Sequence, residues 1–343
     1  MPLATLFRAS NDAAPFARTA YQTAPGPQPI CGGVSSWAQC GLLVAVWSVC
    51  PRRQSAKLVE KRYILGHHLV GFLDVLGQRE KFRQLEIPKT PEEHSRVGQV
   101  LRETAGFVSD LRDTFQSNFK AFESGILIGP LRKIGSVQPR FVGFSDSFVA
   151  SVALRNDRGD LIPIVSVFAA LSAAATAMLT SLASKHALRG GIDVGLATEI
   201  GAGEIYGTAL ERAYLLECQR AQYPRIVIGD ELWKYLSVAL VRFETDTGPD
   251  ARIAKVLVQK IMQLISTDID GKRILDYLGP VIKDLMKPGD AKIMVQPAYD
   301  FVVAEEQQFS STAAKELGKR YALLRHYFES RLPQFGLACQ PWP

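Results

Sequence analysis

Short apolar runs and amphipathic stretches alternate along the chain from about residue 63 onward. Residues 68–76 (HLVGFLDVL) form an apolar run bounded by charge, which predicts a central strand. The segment 90–93 (TPEE) has the form of a helix start, with threonine as the N-cap, proline at the first position and glutamate three residues after the cap. Apolar side chains then recur every three or four residues from Val97 to Phe115, which predicts one buried face of a long helix.

Beyond this helix the pattern continues with two strands, another helix and further strands. Residues 140–154 predict two strands joined by a tight turn at Ser145-Asp146, and a helix follows through about residue 187. The order β-α-β-β-α-β is that of the ferredoxin-like unit. We therefore predict an α+β fold with a ferredoxin-like palm. The later strands and a short helix are predicted at 190–198, 205–217 and 225–228.

The two ends of the chain differ from this central region, which we place at residues 63–230. Residues 1–62 are rich in Pro, Ala, Gly and Ser and have no sustained period, which predicts a poorly ordered leader. Residues 231–343 show helical spacing over 251–265 and 313–332. They predict a mostly helical C-terminal extension that packs on the palm.

Composition and charge restrict the class of protein. The fractions of 47% hydrophobic and 22% charged residues are those of a soluble globular protein. The net charge of +6 comes without a Lys/Arg run, which argues against a nucleic-acid partner. Five cysteines without a C-x-x-C pair argue against a disulfide framework and against structural zinc, and they favour the reducing cytoplasm.

Two apolar runs raise the question of a membrane span. Residues 40–50 are far too few for the roughly 20 that a span requires. Residues 162–183 are long enough, but Ser and Thr interrupt them and Ala is abundant, so we predict a buried helix. The N-terminus lacks the order of a signal peptide. We therefore expect a soluble chain without membrane association.

Two aspartates are the strongest candidates for chemistry. Asp74 ends the first predicted strand and Asp146 lies in the hairpin turn, and a palm brings these two positions together. Each alone would pass as an ordinary turn or strand-edge residue, but an Asp among large apolar residues is costly unless it is paired or metal-bound. Two carboxylates that bridge two hard divalent cations suit attack of a ribose 3′-hydroxyl on an α-phosphorus. Gly77 permits a turn whose backbone N–H groups can face phosphate.

Four segments also resemble a known family. Residues 72–77 (FLDVLG), 144–148 (FSDSF), 189–195 (RGGIDVG) and 205–217 (IYGTALERAYLLE) are similar in order and spacing to class III nucleotide cyclases. The chain most resembles the bacterial Pycsar pyrimidine cyclases, whose Y-G-x-x-L-x-x-A-x-x-L-E and Y-P-R-I-V motifs are similar to residues 206–217 and 223–227. The resemblance covers about residues 65–230.

The resemblance implies a metal-dependent enzyme with shared active sites. It implies that Asp74 and Asp146 are catalytic and that Asp74, Val75 and Asp146 hold two Mg²⁺ or Mn²⁺ ions in each site. It further implies a head-to-tail homodimer, in which each site joins residues of both subunits. Known members make cyclic UMP or cyclic CMP as an antiphage signal that a separate effector protein senses. The residues expected to contact the substrate are Gly77, Gln78, Arg140, Tyr206, Thr208 and Arg212.

The chain departs from the purine-specific members at two pairs of positions. Val142 and Thr208 stand where adenylate cyclases place a base-reading Lys and Asp, so we expect a pyrimidine substrate. UTP is favoured slightly over CTP because its acceptors suit a basic side chain such as Arg140, and CTP remains open. Glu211 and Leu215 stand where animal-type cyclases place a transition-state Asn and Arg. Arg212, Arg189 or another basic residue could supply that charge, or the two metal ions could suffice for a slow signalling enzyme. The alternative from another class is a catalytically inactive cyclase-like module that binds nucleotide and regulates.

Overall fold

The computed structural model describes most of the chain beyond the predicted leader. Residues 1–62, and with them the leader, lie outside the described part. The described residues are 63–83, 85–126, 137–154, 164–201, 204–246, 248–287, 289–311 and 314–342.

A ferredoxin-like unit forms the first half of the described chain. Its strands pair in the order β2-β3-β1-β4, and every neighbouring pair is antiparallel. This is the β-α-β-β-α-β unit that the hydrophobic pattern predicted, and the α+β palm is confirmed. Its elements are β1 (Gly66–Val75), α1 (Gln78–Arg83), α2 (Pro91–Leu101), α3 (Phe107–Ile126), β2 (Arg140–Phe144), β3 (Ser147–Ala153), α4 (Ile164–Ala183) and β4 (Leu188–Gly201).

The start of α2 has the capping box that the sequence predicted. The Thr90 hydroxyl accepts from the Glu93 N–H at 3.2 Å, and the Glu93 carboxylate accepts from the Thr90 N–H at 3.2 Å. Two N–H groups that the helix itself cannot pair are thereby satisfied. The helix then continues through a single π turn at Arg102–Gly106 into α3.

One face of the sheet carries the main core. Leu69, Leu73 and Val75 of β1 point to this face, where α3 and α4 cover the sheet. The helix α4 is long and apolar enough to cross a membrane, but 89% of its most apolar stretch is buried inside the protein. It is therefore a core helix, as its Ser and Thr content predicted.

The opposite face of the sheet, the open face, is covered in part by a short helix. Val70, Phe72 and Asp74 alternate with the core residues of β1 and point to this face. The strand β5 (Glu204–Gly207) and the helix α5 (Thr208–Leu215) pack on it. A methyl group on Gly191 of β4 would come within 2.3 Å of a carbonyl oxygen in α5, so glycine allows the close approach of helix and strand.

The C-terminal residues add a hairpin to the same sheet as well as helices. A hairpin of β7 and β8 pairs with β6, which extends the strand order to β2-β3-β1-β4-β6-β8-β7. One continuous core runs from the palm into the C-terminal helices. The elements are β6 (Ile226–Ile228), α6 (Asp230–Thr245), α7 (Pro249–Gln263), β7 (Ile265–Thr267), β8 (Arg273–Leu275), α8 (Pro280–Leu285), α9 (Gln296–Ser310) and α10 (Lys315–Glu329).

Candidate active site

The structure brings Asp74 and Asp146 to the same end of the sheet. Asp74 pairs with Ser147 of β3, the residue after Asp146. The Val75 N–H donates to the Asp146 carbonyl oxygen at 3.0 Å, which fixes the hairpin turn against the end of β1. Ser145 in this turn has a φ of +49°, a left-handed conformation that serine rarely adopts. Strained backbone of this kind is typical of turns that aim a functional side chain.

A guanidinium group lies beside Asp74. Arg189 of β4 pairs with Asp74 across the sheet, and its Nη2 atom lies 4.0 Å from the Asp74 carboxylate. The same group binds the buried carboxylate of Glu217 at 2.5 Å. Glu217 was not among the candidate site residues predicted from the sequence. The structure shows that it holds Arg189, which sequence spacing could not reveal because the two residues are 28 positions apart.

Asp193 lies on β4 four residues after Arg189, but its carboxylate is engaged elsewhere. Its carboxylate accepts from the Leu232 N–H at 2.8 Å and thereby caps the start of α6. Burial raises the pKa of Asp193, while the backbone hydrogen bonds favour the charged form. Asp193 is therefore a capping residue.

The oxygen donors at this end of the sheet fit a divalent cation that phosphate also ligates. The Val75 side chain is buried in the main core, so only its carbonyl oxygen could serve as a ligand. Among the described residues no group of three or more His, Cys, Asp or Glu side chains surrounds a metal position. Mg²⁺ is usually held by one or two carboxylates together with substrate phosphates and water. Asp74 and Asp146 match that donor set.

A first cleft, the open-face cleft, lies on the sheet beside Phe72, two residues before Asp74. It has a volume of about 570 Å³ and is mostly apolar. Tyr206, a predicted substrate contact, is 69% exposed here, and Tyr214 packs edge-on against Phe72 with ring centroids 5.5 Å apart. The hydroxyl of Thr208 donates to the Leu196 carbonyl oxygen at 3.4 Å. The lining residues are Phe72, Tyr206, Gly207, Thr208, Leu210, Glu211 and Tyr214.

A second cleft, the basic cleft, lies where β1 ends and contains two further predicted substrate contacts. Gly77 adopts a φ of +83°, which allows the sharp turn after β1. Gln78 follows it and is 1% exposed. The volume is about 430 Å³, and Arg189 also lines this cleft. Arg189 therefore connects the end of the sheet that carries Asp74 and Asp146 with the basic cleft.

Arg140 and Arg212 are engaged elsewhere. Arg140 begins β2, at the end of the strand opposite the Asp146 turn, and pairs with Glu199 at 3.3 Å. The Arg212 guanidinium donates to the Val194 carbonyl oxygen at 3.0 Å. The structure thus does not bring Arg140 to the two aspartates, because β2 runs away from them.

The positions Val142, Thr208, Glu211 and Leu215 all lie on the open face. Val142 packs against the small apolar cluster of Val70 and Val149. Glu211 is exposed in the open-face cleft, and Leu215 is 36% exposed. No charged side chain stands at Val142 or Thr208 to read a purine base.

Three solved structures that resemble this chain have TM-scores of 0.33 or lower. A bacterial light-regulated adenylyl cyclase is 14% identical over 50% of this chain and 45% of its own chain, with a TM-score of 0.33. A monomeric guanylyl cyclase domain of the RhoGC fusion protein from the aquatic fungus Blastocladiella emersonii is 12% identical over 51% of this chain and 88% of its own, with a TM-score of 0.28. A class III adenylyl cyclase-like ATP-binding protein from Pseudomonas aeruginosa is 15% identical over 58% of this chain and 44% of its own, with a TM-score of 0.31.

This chain therefore spans less than half the length of the light-regulated cyclase and of the Pseudomonas protein. No protein-family model and no curated protein matches the sequence. A likeness of this size assigns neither a reaction nor a substrate to this chain.

Proposed function

We propose that this chain is a class III nucleotide cyclase that converts a pyrimidine nucleoside triphosphate, UTP in the first place, to a 3′,5′-cyclic monophosphate and pyrophosphate. The observation that carries the proposal is the position of Asp74 and Asp146 at one sheet end, joined by the 3.0 Å hydrogen bond from Val75 to Asp146. Arg189 adds a positive charge 4.0 Å from Asp74. A reaction of a nucleoside triphosphate requires carboxylates that bind the metal ions and a cationic group, such as a guanidinium, that binds the phosphates.

Each residue of this site has a chemical task under the proposal. Two Mg²⁺ or Mn²⁺ ions, when bound, would lower the pKa of the ribose 3′-hydroxyl and neutralise charge on the phosphates. Asp74, Asp146 and the Val75 carbonyl oxygen would hold these ions. Arg189 would face the phosphates, where a fixed cation stabilises developing negative charge. Glu217 orients that guanidinium and is a positioning residue.

The base preference rests on Val142 and Thr208. An adenine edge without the Lys/Asp pair would leave buried polar groups unpaired, at about 1–3 kcal/mol per group. Arg140 was the reason to favour UTP, and its pairing with Glu199 weakens that reason. UTP therefore remains the first proposal, with CTP as the alternative that the same assay tests.

A second candidate function is an inactive cyclase-like module that binds nucleotide and regulates. The observation that favours it is the pair Glu211 and Leu215, since neither side chain can act as the Asn and Arg of animal-type cyclases. Arg212 does not replace them directly, because it binds the Val194 carbonyl oxygen. Both metal-binding carboxylates are present, which favours the active enzyme.

In the decisive experiment, the full chain is incubated with each of the four ribonucleoside triphosphates in the presence of Mn²⁺ or Mg²⁺. We expect mass spectrometry to find cyclic UMP as the main product, and cyclic CMP if the alternative holds. A folded protein that yields no cyclic product from any triphosphate, yet binds one of them, would establish the regulatory module instead. A purine product would contradict the assignment of Val142 and Thr208.

We further propose that two copies of the chain associate head to tail through the open face, so that the open-face cleft of one subunit completes the site of the other. The exposed apolar side chains there support this, since Tyr206 is 69% and Tyr214 48% exposed. We expect Tyr214→Arg to weaken the dimer at least about 30-fold, because buried aromatic anchors carry much of an interface's affinity.

Analytical ultracentrifugation measures this effect. Val238→Arg is the matched control, since Val238 is 69% exposed on α6 and lines neither cleft. A wild-type chain that is fully active as a monomer would contradict the shared site.

The wider role follows from the chemistry of the product. We propose that the cyclic pyrimidine nucleotide is a second messenger in bacterial antiphage defence, made in the cytoplasm and sensed by a separate effector protein. Under this proposal neither a nucleic acid nor a membrane is a partner. The resemblance of the four sequence segments supports this role.

A further inference from the structure

The basic cleft is built partly from the C-terminal extension. Its walls come from the turn after β1, the turn between α4 and β4, and the helices α9 and α10. Residues far apart in sequence therefore meet beside the proposed metal site. The polar and charged residues used below are Gln78, Lys81, Lys185, Arg189, Glu305 and Arg320.

Positive charge dominates this cleft. Lys81, Lys185, Arg189 and Arg320 line it, against the single carboxylate of Glu305. Within the described chain, no carboxylate forms an ion pair with Lys81, Lys185 or Arg320. Cations that converge in a concave site without partners repel one another and attract an anion.

Two neighbouring groups do not cancel this charge. Glu305 accepts a hydrogen bond from the Tyr321 hydroxyl, and burial raises its pKa. His186 stacks on Phe107, and burial lowers its pKa, so the imidazole stays neutral near pH 7. The excess of positive charge therefore remains at neutral pH.

Lys185 is held in an unfavourable backbone conformation at this cleft. It has a φ of +63° at the end of α4, where the His186 N–H donates to the Ser181 carbonyl oxygen at 2.9 Å. This is a Schellman motif, whose left-handed position normally carries glycine. Lysine at that position is less favourable than glycine, and its side chain lines the cleft.

Gln78 supplies a second, independent sign of a ligand. Its side chain is 1% exposed and lines the cleft, and its Oε1 atom has no hydrogen-bond partner among the described residues. A buried polar atom without a partner is destabilising. A 180° rotation of the amide would offer Nε2 at the same place, so the side chain can meet either a donor or an acceptor.

We propose that the basic cleft binds the pyrophosphoryl end of the triphosphate substrate, with Arg320 of the C-terminal extension and Lys185 as phosphate-binding residues. The proposal rests on the function proposed above and extends the site from its metal-binding end. Arg189 lies beside Asp74 and also lines the cleft, so phosphates beyond the α-phosphorus would pass from one region to the other. The extension then belongs to the catalytic site itself.

The test measures the affinity of the full chain for inorganic pyrophosphate in the presence of Mn²⁺ by calorimetry. We expect Arg320→Gln and Lys185→Gly each to weaken binding about tenfold or more, the effect of losing one charge-assisted contact. Lys185→Gly should at the same time raise the melting temperature, because glycine fits the left-handed position. Lys319→Gln is the matched control, since Lys319 pairs with Glu316 outside the cleft and its loss should leave the affinity unchanged.

A competition experiment shows whether the cleft binds the pyrophosphoryl end of the substrate or a separate regulatory anion. Pyrophosphate should displace a non-hydrolysable triphosphate, and simultaneous binding of both would overturn the proposal. A wild-type chain that binds no pyrophosphate, or variants with unchanged affinity, would also overturn it. These measurements need no turnover, so a chain that makes no cyclic product can still pass them, and the two proposals fail separately.

Discussion

Under the proposed function, we expect Asp74→Ala and Asp146→Ala each to lower the turnover to cyclic product by at least about 1000-fold. The two carboxylates are the only proposed side-chain ligands for the catalytic cations, and those cations supply several kcal/mol of transition-state stabilisation. The hydrogen bond of 3.0 Å from the Val75 N–H to the Asp146 carbonyl oxygen joins the two strand ends that carry these aspartates. Loss of either carboxylate would therefore remove a cation ligand from the same site. Single-turnover rates at saturating Mn²⁺ measure the effect.

Two further variants show whether a loss of activity comes from the missing carboxylate or from a disturbed fold. Asp74→Asn keeps the shape of the side chain next to Arg189 and should be almost as inactive, with an unchanged melting temperature. Asp110→Ala removes an exposed acid from α3, on the other face of the sheet, and should retain full activity. Should Asp74→Ala or Asp146→Ala turn over at the wild-type rate, the site assignment is wrong even where the reaction is right.

Arg225→Ala lowers the free energy of unfolding by about 3–5 kcal/mol, the usual cost of breaking a buried ion pair. Arg225 is 2% exposed, forms ion pairs with Asp268 and Asp270, and lies 4.3 Å from the centre of the Tyr223 ring. Its loss leaves the Asp268 carboxylate with the Tyr223 hydroxyl and the Asp270 carboxylate with Lys272, and removes the guanidinium that joins the two. Urea denaturation measures the change. Arg273→Ala is the control, since its pairing with the 81% exposed Asp230 is a surface contact worth less than about 1 kcal/mol.

The same ion pair makes the stability depend on pH. The hydrogen bond from Arg225, more than any other cause, holds the pKa of Asp270 well below its usual range. A carboxylate whose pKa is lower in the folded state stabilises the fold above its unfolded pKa of about 4 and loses this contribution as the pH falls further. The wild type should therefore lose more stability than Arg225→Ala between pH 5 and pH 3. Equal slopes would show that Arg225 does not set the ionisation of Asp270.

The parts of the structure that the sequence predicted are those with a local signal. A short apolar run bounded by charge indicated β1, and the capping box marked the start of α2. The turn at Ser145-Asp146 was recognisable because two strands flank it directly. From these elements the strand order of the palm followed, and with it the expectation that Asp74 and Asp146 are neighbours.

The parts that the sequence did not reveal depend on contacts between distant residues. Glu217 reaches Arg189 only because α5 lies on the open face, and Arg320 reaches the basic cleft from the end of the chain. The strands β7 and β8 have three residues each, too few for a period of two to be recognised. Arg140 was expected near the substrate because it is close to Asp146 in sequence. Each residue of a strand adds about 3.3 Å, however, so Arg140 lies at the far end of β2 from the Asp146 turn.

The β7–β8 hairpin also bears on how the protein avoids aggregation. β6 contributes a buried row of Ile226, Val227 and Ile228 next to β4, and the hairpin pairs with its other side. A chain cut near residue 230 would present this apolar strand as an unpaired edge, which is a template for association with other chains. With the hairpin in place, this side of the sheet ends instead on β7, whose sequence Ile-Ser-Thr is as short as β6 but more polar and less buried. The hairpin thus covers the edge of β6, and we expect a protein shortened to about residue 230 to be less soluble than the full chain.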